Sequence, residues 1–110
     1  YKKFKYKNLW MDSSWEVNIA KWLDSKNIQW KRDRKIIFYW TDLEGKKRRY
    51  YPDFYLPDQN LYLDPKNKYK LEKDLFKLQK VIEENNITLI FGNELEIICS
   101  LEKILTNEIK

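Results

Sequence analysis

The sequence predicts a mixed α/β fold, a sheet flanked by helices. Three observations carry this. An amphipathic helix precedes a run of short strand-like segments, and a long helix separates two of the later ones. A helix between two strands is the pattern of a parallel crossover. The 110 residues are 43% hydrophobic and 16% aromatic with only two glycines and three prolines, a globular composition. That length supports one domain, 1–110, with a modest core.

Residues 1–10, YKKFKYKNLW, mix lysines with aromatics, and 1–11 read as either an N-terminal basic arm or a first strand. Residues 14–25 read as a helix, which Asp12, Ser13 or Ser14 can cap. Trp15, Ile19, Trp22 and Leu23 recur at helical spacing as one apolar stripe. Glu16 sits at the edge of that stripe, about 70° from its centre, and can look into a cleft beside the core. Strands are expected at 28–31 and 36–40, then a turn through Asp42 to Gly45 and a returning strand over 46–51. Two further strands, 53–56 and 61–66, are joined by Pro57-Asp58-Gln59-Asn60. Residues 70–85 form the clearest helix, with Leu71, Leu75, Leu78 and Ile82 on one face and Lys70, Lys73, Lys77 and Lys80 opposite. A strand over 88–91 ends at Gly92-Asn93, 96–99 reads as another strand, and Ser100 caps a short last helix through Leu105.

The residue inventory restricts the chemistry. There is no histidine and one cysteine. Internal disulfides and the usual zinc sites are excluded, and Cys99, after two isoleucines, is expected as a buried inert thiol. A general base must be a carboxylate, a lysine, a tyrosine or metal-bound water. A metal site must use oxygen ligands, which favours magnesium or manganese. The net charge of +5 suits a polyanion, most simply nucleic acid, although lysine and asparagine are abundant throughout. No apolar run is long enough to span a membrane and no signal peptide is visible, so a cytoplasmic location is expected. The first residue is Tyr1, not methionine, as in a segment of a longer protein.

The segment YYPDFYLPDQNLYLDPKNKY, 50–69, places acids on strands that otherwise look like core. Alternation resolves this. Tyr62, Asp64 and Lys66 share one face, while Leu61, Leu63 and Pro65 share the other. Asp53 and Tyr55 likewise share a face, and a suitable register brings Asp53 and Asp64 together. Two such carboxylates repel unless one protonates or a cation binds. A magnesium ion there would polarise a scissile phosphate and activate water. Lys66 would orient the water or offset developing charge, and Glu16 would complete the metal site.

Glu16, Pro52-Asp53 and Asp64-Pro65-Lys66 together resemble the PD-(D/E)XK nuclease superfamily, and the text around them is similar to small phage homing endonucleases and very-short-patch-repair-like nucleases. The resemblance covers roughly 12–92. It implies a restriction-endonuclease-like core, a central mixed sheet of four or more strands flanked by helices. It also implies a magnesium-dependent DNA endonuclease, with manganese as a substitute, in host cytoplasm if the source is a phage. Catalytic roles fall on Glu16, Asp53, Asp64 and Lys66. The metal ligands would be Asp53, Asp64, the Pro65 carbonyl and Glu16. Relatives often carry glutamate and glycine where Asp64 and Asn67 stand, and proline in a central strand lacks a ladder donor.

DNA is the expected partner, with no membrane and no small-molecule cofactor. Lys46, Lys47, Arg48 and Arg49 are candidates to grip its backbone, and Lys70, Lys73, Lys77 and Lys80 form a second candidate surface. The plain alternatives are a charged hairpin end and a solvated helix face. Gln79 is a weaker candidate near the site. Cutting both strands calls for a homodimer or two successive nicks. Two other classes stay open: a nuclease-fold module that binds nucleic acid without cleaving it, suggested by Pro65 and Asn67, and a protein-interaction domain with incidental charge.

Overall fold

The computed structural model describes residues 3–108. The first two residues of the basic arm considered above lie outside them. The rest of that segment is a hairpin of β1 (Phe4–Tyr6) and β2 (Leu9–Met11), turned by Lys7 and Asn8 at φ 50 and 65. Two successive positive φ values match the right-handed strand twist of a two-residue hairpin.

Helix α1 (Ser14–Ser25) occupies the expected span. Ser13 is its cap: the Glu16 amide donates to Ser13 Oγ at 3.3 Å, and Ser13 Oγ donates back to the Glu16 carboxylate at 3.1 Å. At the other end Asn27 takes a left-handed φ of 57, with Asn27 N donating to Asp24 O and Ile28 N to Leu23 O. This is a Schellman exit, whose hydrophobic partner is the buried Ile28. It corrects the strand expected over 28–31, which shrinks to one bridge between Lys31 and Tyr55. Residues 33–36 then turn on Asp33, whose carboxylate accepts from Lys35 N and whose carbonyl accepts from Ile36 N.

A second hairpin pairs β3 (Phe38–Thr41) with β4 (Lys47–Tyr50), Tyr39 opposite Arg49 and Thr41 opposite Lys47. Pro52 follows, and the next strands form a separate sheet of β5 (Phe54–Leu56), β6 (Leu61–Pro65) and β7 (Leu89–Gly92). β5 and β6 are antiparallel, while β6 and β7 are parallel and joined through α2 (Lys68–Asn85). The mixed α/β class is as expected. The central sheet has three strands among the described residues rather than four, because β3 and β4 pair only with each other.

The last helix, α3 (Glu94–Glu108), replaces both the strand expected over 96–99 and a separate helix from Ser100. Asn93 Oδ1 accepts from Glu96 N while Glu96 Oε1 accepts from Asn93 N, a reciprocal cap that starts the helix early. Ile97 and Leu101 are buried one turn apart. Cys99 falls on the far side of that stripe and is exposed, not buried. Gly92 precedes the cap at φ 135, and a Cβ there would lie 3.1 Å from Glu96 Oε1, so only glycine suits both the backbone and the cap.

The sheet carries core on both faces. Leu61, Leu63, Phe54 and Leu56 pack with Ile19, Ala20 and Leu23 of α1 and with Ile97 and Leu101 of α3. On the other face Tyr62 and Phe91 join Phe38, Trp40 and Tyr50 of the hairpin and Leu71, Leu78, Val81 and Ile82 of α2. Leu75, expected in that stripe, is exposed, and Val81 takes a core place. Among the described residues no helix is long and apolar enough to cross a membrane.

One satellite cluster gives a stability test. Asp24 accepts from Tyr6 Oη at 2.6 Å and Trp30 Nε1 at 2.8 Å, and pairs with Lys7 Nζ at 2.9 Å. Lys7 and then Tyr6 hold its carboxyl down at about 2. A depressed folded pKa gives stability that is present above the unfolded value and lost as pH falls through the folded one. Asp24→Asn should cost about 1 kcal/mol near neutral pH, a modest figure because solvent screens the cluster. The gap from wild type should close as pH falls from about 4 to about 2. Urea titrations across that window measure it, and a constant gap would refute the assignment.

Candidate active site

The β5–β6 register decides where the strand acids lie. Phe54 pairs with Leu63, and Asp53 N donates to Leu63 O at 3.2 Å. The antiparallel pairing ends at Phe54 and Leu63, which leaves Asp53 just before β5 and Asp64 on β6, each next to one member of that last pair. The two carboxyls line the same cavity, and the charge of one acts on the other. The two prolines stand where the antiparallel pairing ends, so neither withholds a ladder donor from a continuing strand. On its other side Pro65 is opposite Gly92, and the ladder passes on through Lys66 N to Gly92 O at 2.7 Å.

Burial comes first among the causes that push the Asp53 carboxyl well above the ordinary aspartate value, followed by the negative charges of Asp64 and Glu16. Arg32 pulls the other way. Glu16 is buried at the first turn of α1 and accepts from Arg32 Nη1 at 2.6 Å. The same guanidinium donates to Asp53 O and Trp10 O, both at 3.3 Å. Asp12, Glu16 and Asp53 each offer a carboxylate oxygen within 4.8 Å of the others.

Asp64 is buried and accepts a short hydrogen bond from the buried Tyr50 hydroxyl of β4. Burial and then Asp64 raise the Tyr50 pKa well above its ordinary value, so the phenol stays a donor. Lys66 Nζ lies 3.7 Å from Asp64 Oδ2 and 3.0 Å from Asp74 Oδ2 on α2. Burial works against its charge, but Asp64 and Asp74 outweigh it and lift the Lys66 pKa above the usual lysine value. Lys66 is therefore an ammonium here, a donor and a charge rather than a base.

Asp12, Glu16, Tyr50, Asp53, Asp64 and Lys66 open on one cavity of about 470 Å³, which Trp15, Tyr51 and Pro65 also line. Its buried residues are Glu16, Asp64 and Tyr50. Exposed cations, Arg34, Arg49 and Lys70, stand at its mouth with Lys77. A hard cation suits these acids, because they offer carboxylate oxygens whose mutual repulsion is incompletely offset.

The chain is similar to a phage nuclease. It is 38% identical over 50 residues to the head completion nuclease of Enterobacteria phage T4. That match spans 44% of this chain and a third of the length of the relative (33%). No protein-family profile matches the chain, and no solved structure does.

Of the residues read from the sequence, Glu16, Asp53, Asp64, Pro65 and Lys66 all line this cavity, with Arg49, Lys70 and Lys77 from the basic sets. Lys46, Lys47, Arg48, Lys73 and Lys80 do not line it. Arg48 is held by Asp42 at 2.7 Å, Lys80 lies 3.4 Å from Glu84, and Gln79 is exposed outside the cavity. Asn67, unexpected beside the motif, caps α2 by accepting from Lys70 N at 2.8 Å. Sequence reasoning missed Arg32, Tyr50 and Asp74. Asp74 left a trace, an acid amid the lysines at helical spacing. Arg32 and Tyr50 left none, because their partners are distant in sequence.

Proposed function

We propose that the protein is a divalent-metal-dependent DNA endonuclease that hydrolyses phosphodiester bonds. The observation that carries this is the gathering of Asp53, Asp64, Glu16 and the Lys66 ammonium around one cavity with a cationic mouth. The partial similarity to a phage nuclease supports the same class. Asp53, Asp64, the Pro65 carbonyl and Glu16 would hold magnesium or manganese. When bound, such an ion supplies Lewis-acid polarisation of the phosphate and acidifies water.

The chain's own groups have separable tasks. Tyr50 fixes the Asp64 carboxylate by donating to one oxygen, which leaves the other to face the cavity. Asp74 holds Lys66 in reach of the site, and Lys66 donates to the phosphate or the attacking water as negative charge grows. Arg34, Arg49 and Lys70 receive phosphates at the mouth.

The test is supercoiled plasmid with magnesium or manganese. Wild type should nick it, EDTA should stop the reaction, and Asp64→Asn should slow it at least about a hundredfold. Retarded DNA with no nicking under any metal would instead favour the binding module, and no retention of DNA would favour a protein-interaction role.

A further inference from the structure

We infer that the outward face of the β3–β4 hairpin, built on Lys47 and Arg49 with Tyr39, Tyr51 and Arg34, is the seat of the substrate's phosphodiester backbone and leads it into the cavity. This rests on the nuclease reading and says which surface holds the substrate.

Alternation along β4 divides its basic residues into two sets. Lys47 and Arg49 share one face, and Arg48 and Tyr50 share the other. Tyr50 is buried with Leu78 and Val81, so the Arg48 face turns toward α2. Arg48 is tied to Asp42, which also accepts from the amides of Glu44 and Lys46 in the hairpin turn. Its charge is spent on holding the turn.

The outward face differs. Arg49 stands opposite Tyr39, and Tyr51, two residues on, falls on the same side of the strand. Neutral phenols beside the guanidinium leave its charge uncancelled. Arg34 lies over the Tyr51 ring, 5.7 Å from its centre, and extends the same surface. Among the described residues no ion pair involves Arg34, Lys47 or Arg49, whereas Arg32, Arg48, Lys66, Lys77 and Lys80 are each paired. Tyr39 is 48% exposed and presents its ring on this face.

The surface is continuous with the site, because Arg34, Arg49 and Tyr51 line both. Lys70, also outside any ion pair among the described residues, faces it from the start of α2. Unpaired cations fixed at the rim of an acidic cavity match a polymer of phosphates with one member placed at the acids. An acidic peptide would offer its charges to the rim but nothing for the floor.

The experiment is a salt titration of binding. A labelled duplex and its single strand are bound in calcium, a hard cation that carboxylates accept. Fluorescence anisotropy then follows wild type, Lys47→Ala/Arg49→Ala and Arg48→Ala. The double variant should bind about tenfold more weakly at moderate salt. Its slope of log Kd against log salt should be smaller by about 1 for each lost phosphate contact. Arg48→Ala should keep the wild-type slope. The nucleic-acid form on which the double variant loses slope is the form this face holds. An unchanged slope on both forms, or an equal loss from Arg48→Ala, overturns the inference. Plasmid nicking in magnesium separates the two ideas: hairpin-dependent binding without nicking defeats only the nuclease reading, and nicking with hairpin-independent binding defeats only this one.

Discussion

Asp53→Asn is expected to abolish metal-dependent nicking and, in EDTA at neutral pH, to raise the melting temperature. The two outcomes share one cause. Burial, Asp64 and Glu16 hold the Asp53 carboxyl well above its unfolded value. A raised folded pKa gives stability that is complete at low pH and lost as pH rises through the folded value. At neutral pH the metal-free protein therefore bears the cost of either a buried charge or a proton taken up from solvent. Asparagine has the same shape, lacks the charge and can donate to the Asp64 carboxylate. The variant should melt several degrees higher, since each kcal/mol moves a domain of this size by about 4 °C or more. Its melting temperature should also fall less than that of wild type as pH climbs from about 4 to neutrality. Adding magnesium or manganese should reverse the order, because an ion that binds only the folded wild type stabilises it by mass action. Nicking should drop at least about a hundredfold. A variant that melts below wild type in EDTA, or gains as much from metal, would remove the acids from any metal site.

The parts of this site legible in the sequence were those that periodicity controls. Alternation placed Tyr62, Asp64 and Lys66 on one face, and Asp53 and Asp64 line one cavity. The helix over 14–25 and the crossover through α2 followed from apolar spacing. What escaped depends on contacts remote in sequence, or on local signals that compete. Asn93 and Glu96 spell a capping box, yet Ile97 and Ile98 read as strand; the cap won because Ile97 and Leu101 bury together. Residues 28–31 looked strand-like, but Ile28 is spent on closing α1. The abundance of asparagine, which read as background, has local structural use. With only two glycines in the chain, Asn8, Asn27, Asn60 and Asn86 fill left-handed positions, where their short polar side chains are tolerated.

Arg32→Met should be among the most damaging single changes to stability. The Arg32 and Glu16 side chains are 11% and 5% exposed, and their contact at 2.6 Å is the main compensation for the glutamate. Arg32 also ties Trp10 of β2 to Asp53 before β5 and lies 5.4 Å over the Phe54 ring. Removing it leaves a buried carboxylate beside Asp53, and breaking such a pair costs about 3–5 kcal/mol. That is a large share of the roughly 5–15 kcal/mol available to a domain. Glu16→Gln should cost less, because Arg32 still faces the negative potential of Asp53. The double variant should recover much of the loss, since no orphan charge remains. Urea denaturation of the four proteins gives the coupling energy directly, and additive losses would deny it. Metal distinguishes a structural pair from a functional one. If Glu16 belongs to the metal site, manganese can replace the missing guanidinium, and Arg32→Met should gain more stability from manganese than wild type does. Equal gains would confine Glu16 to holding α1 against the Asp53 strand, and leave the metal to Asp53, Asp64 and the Pro65 carbonyl.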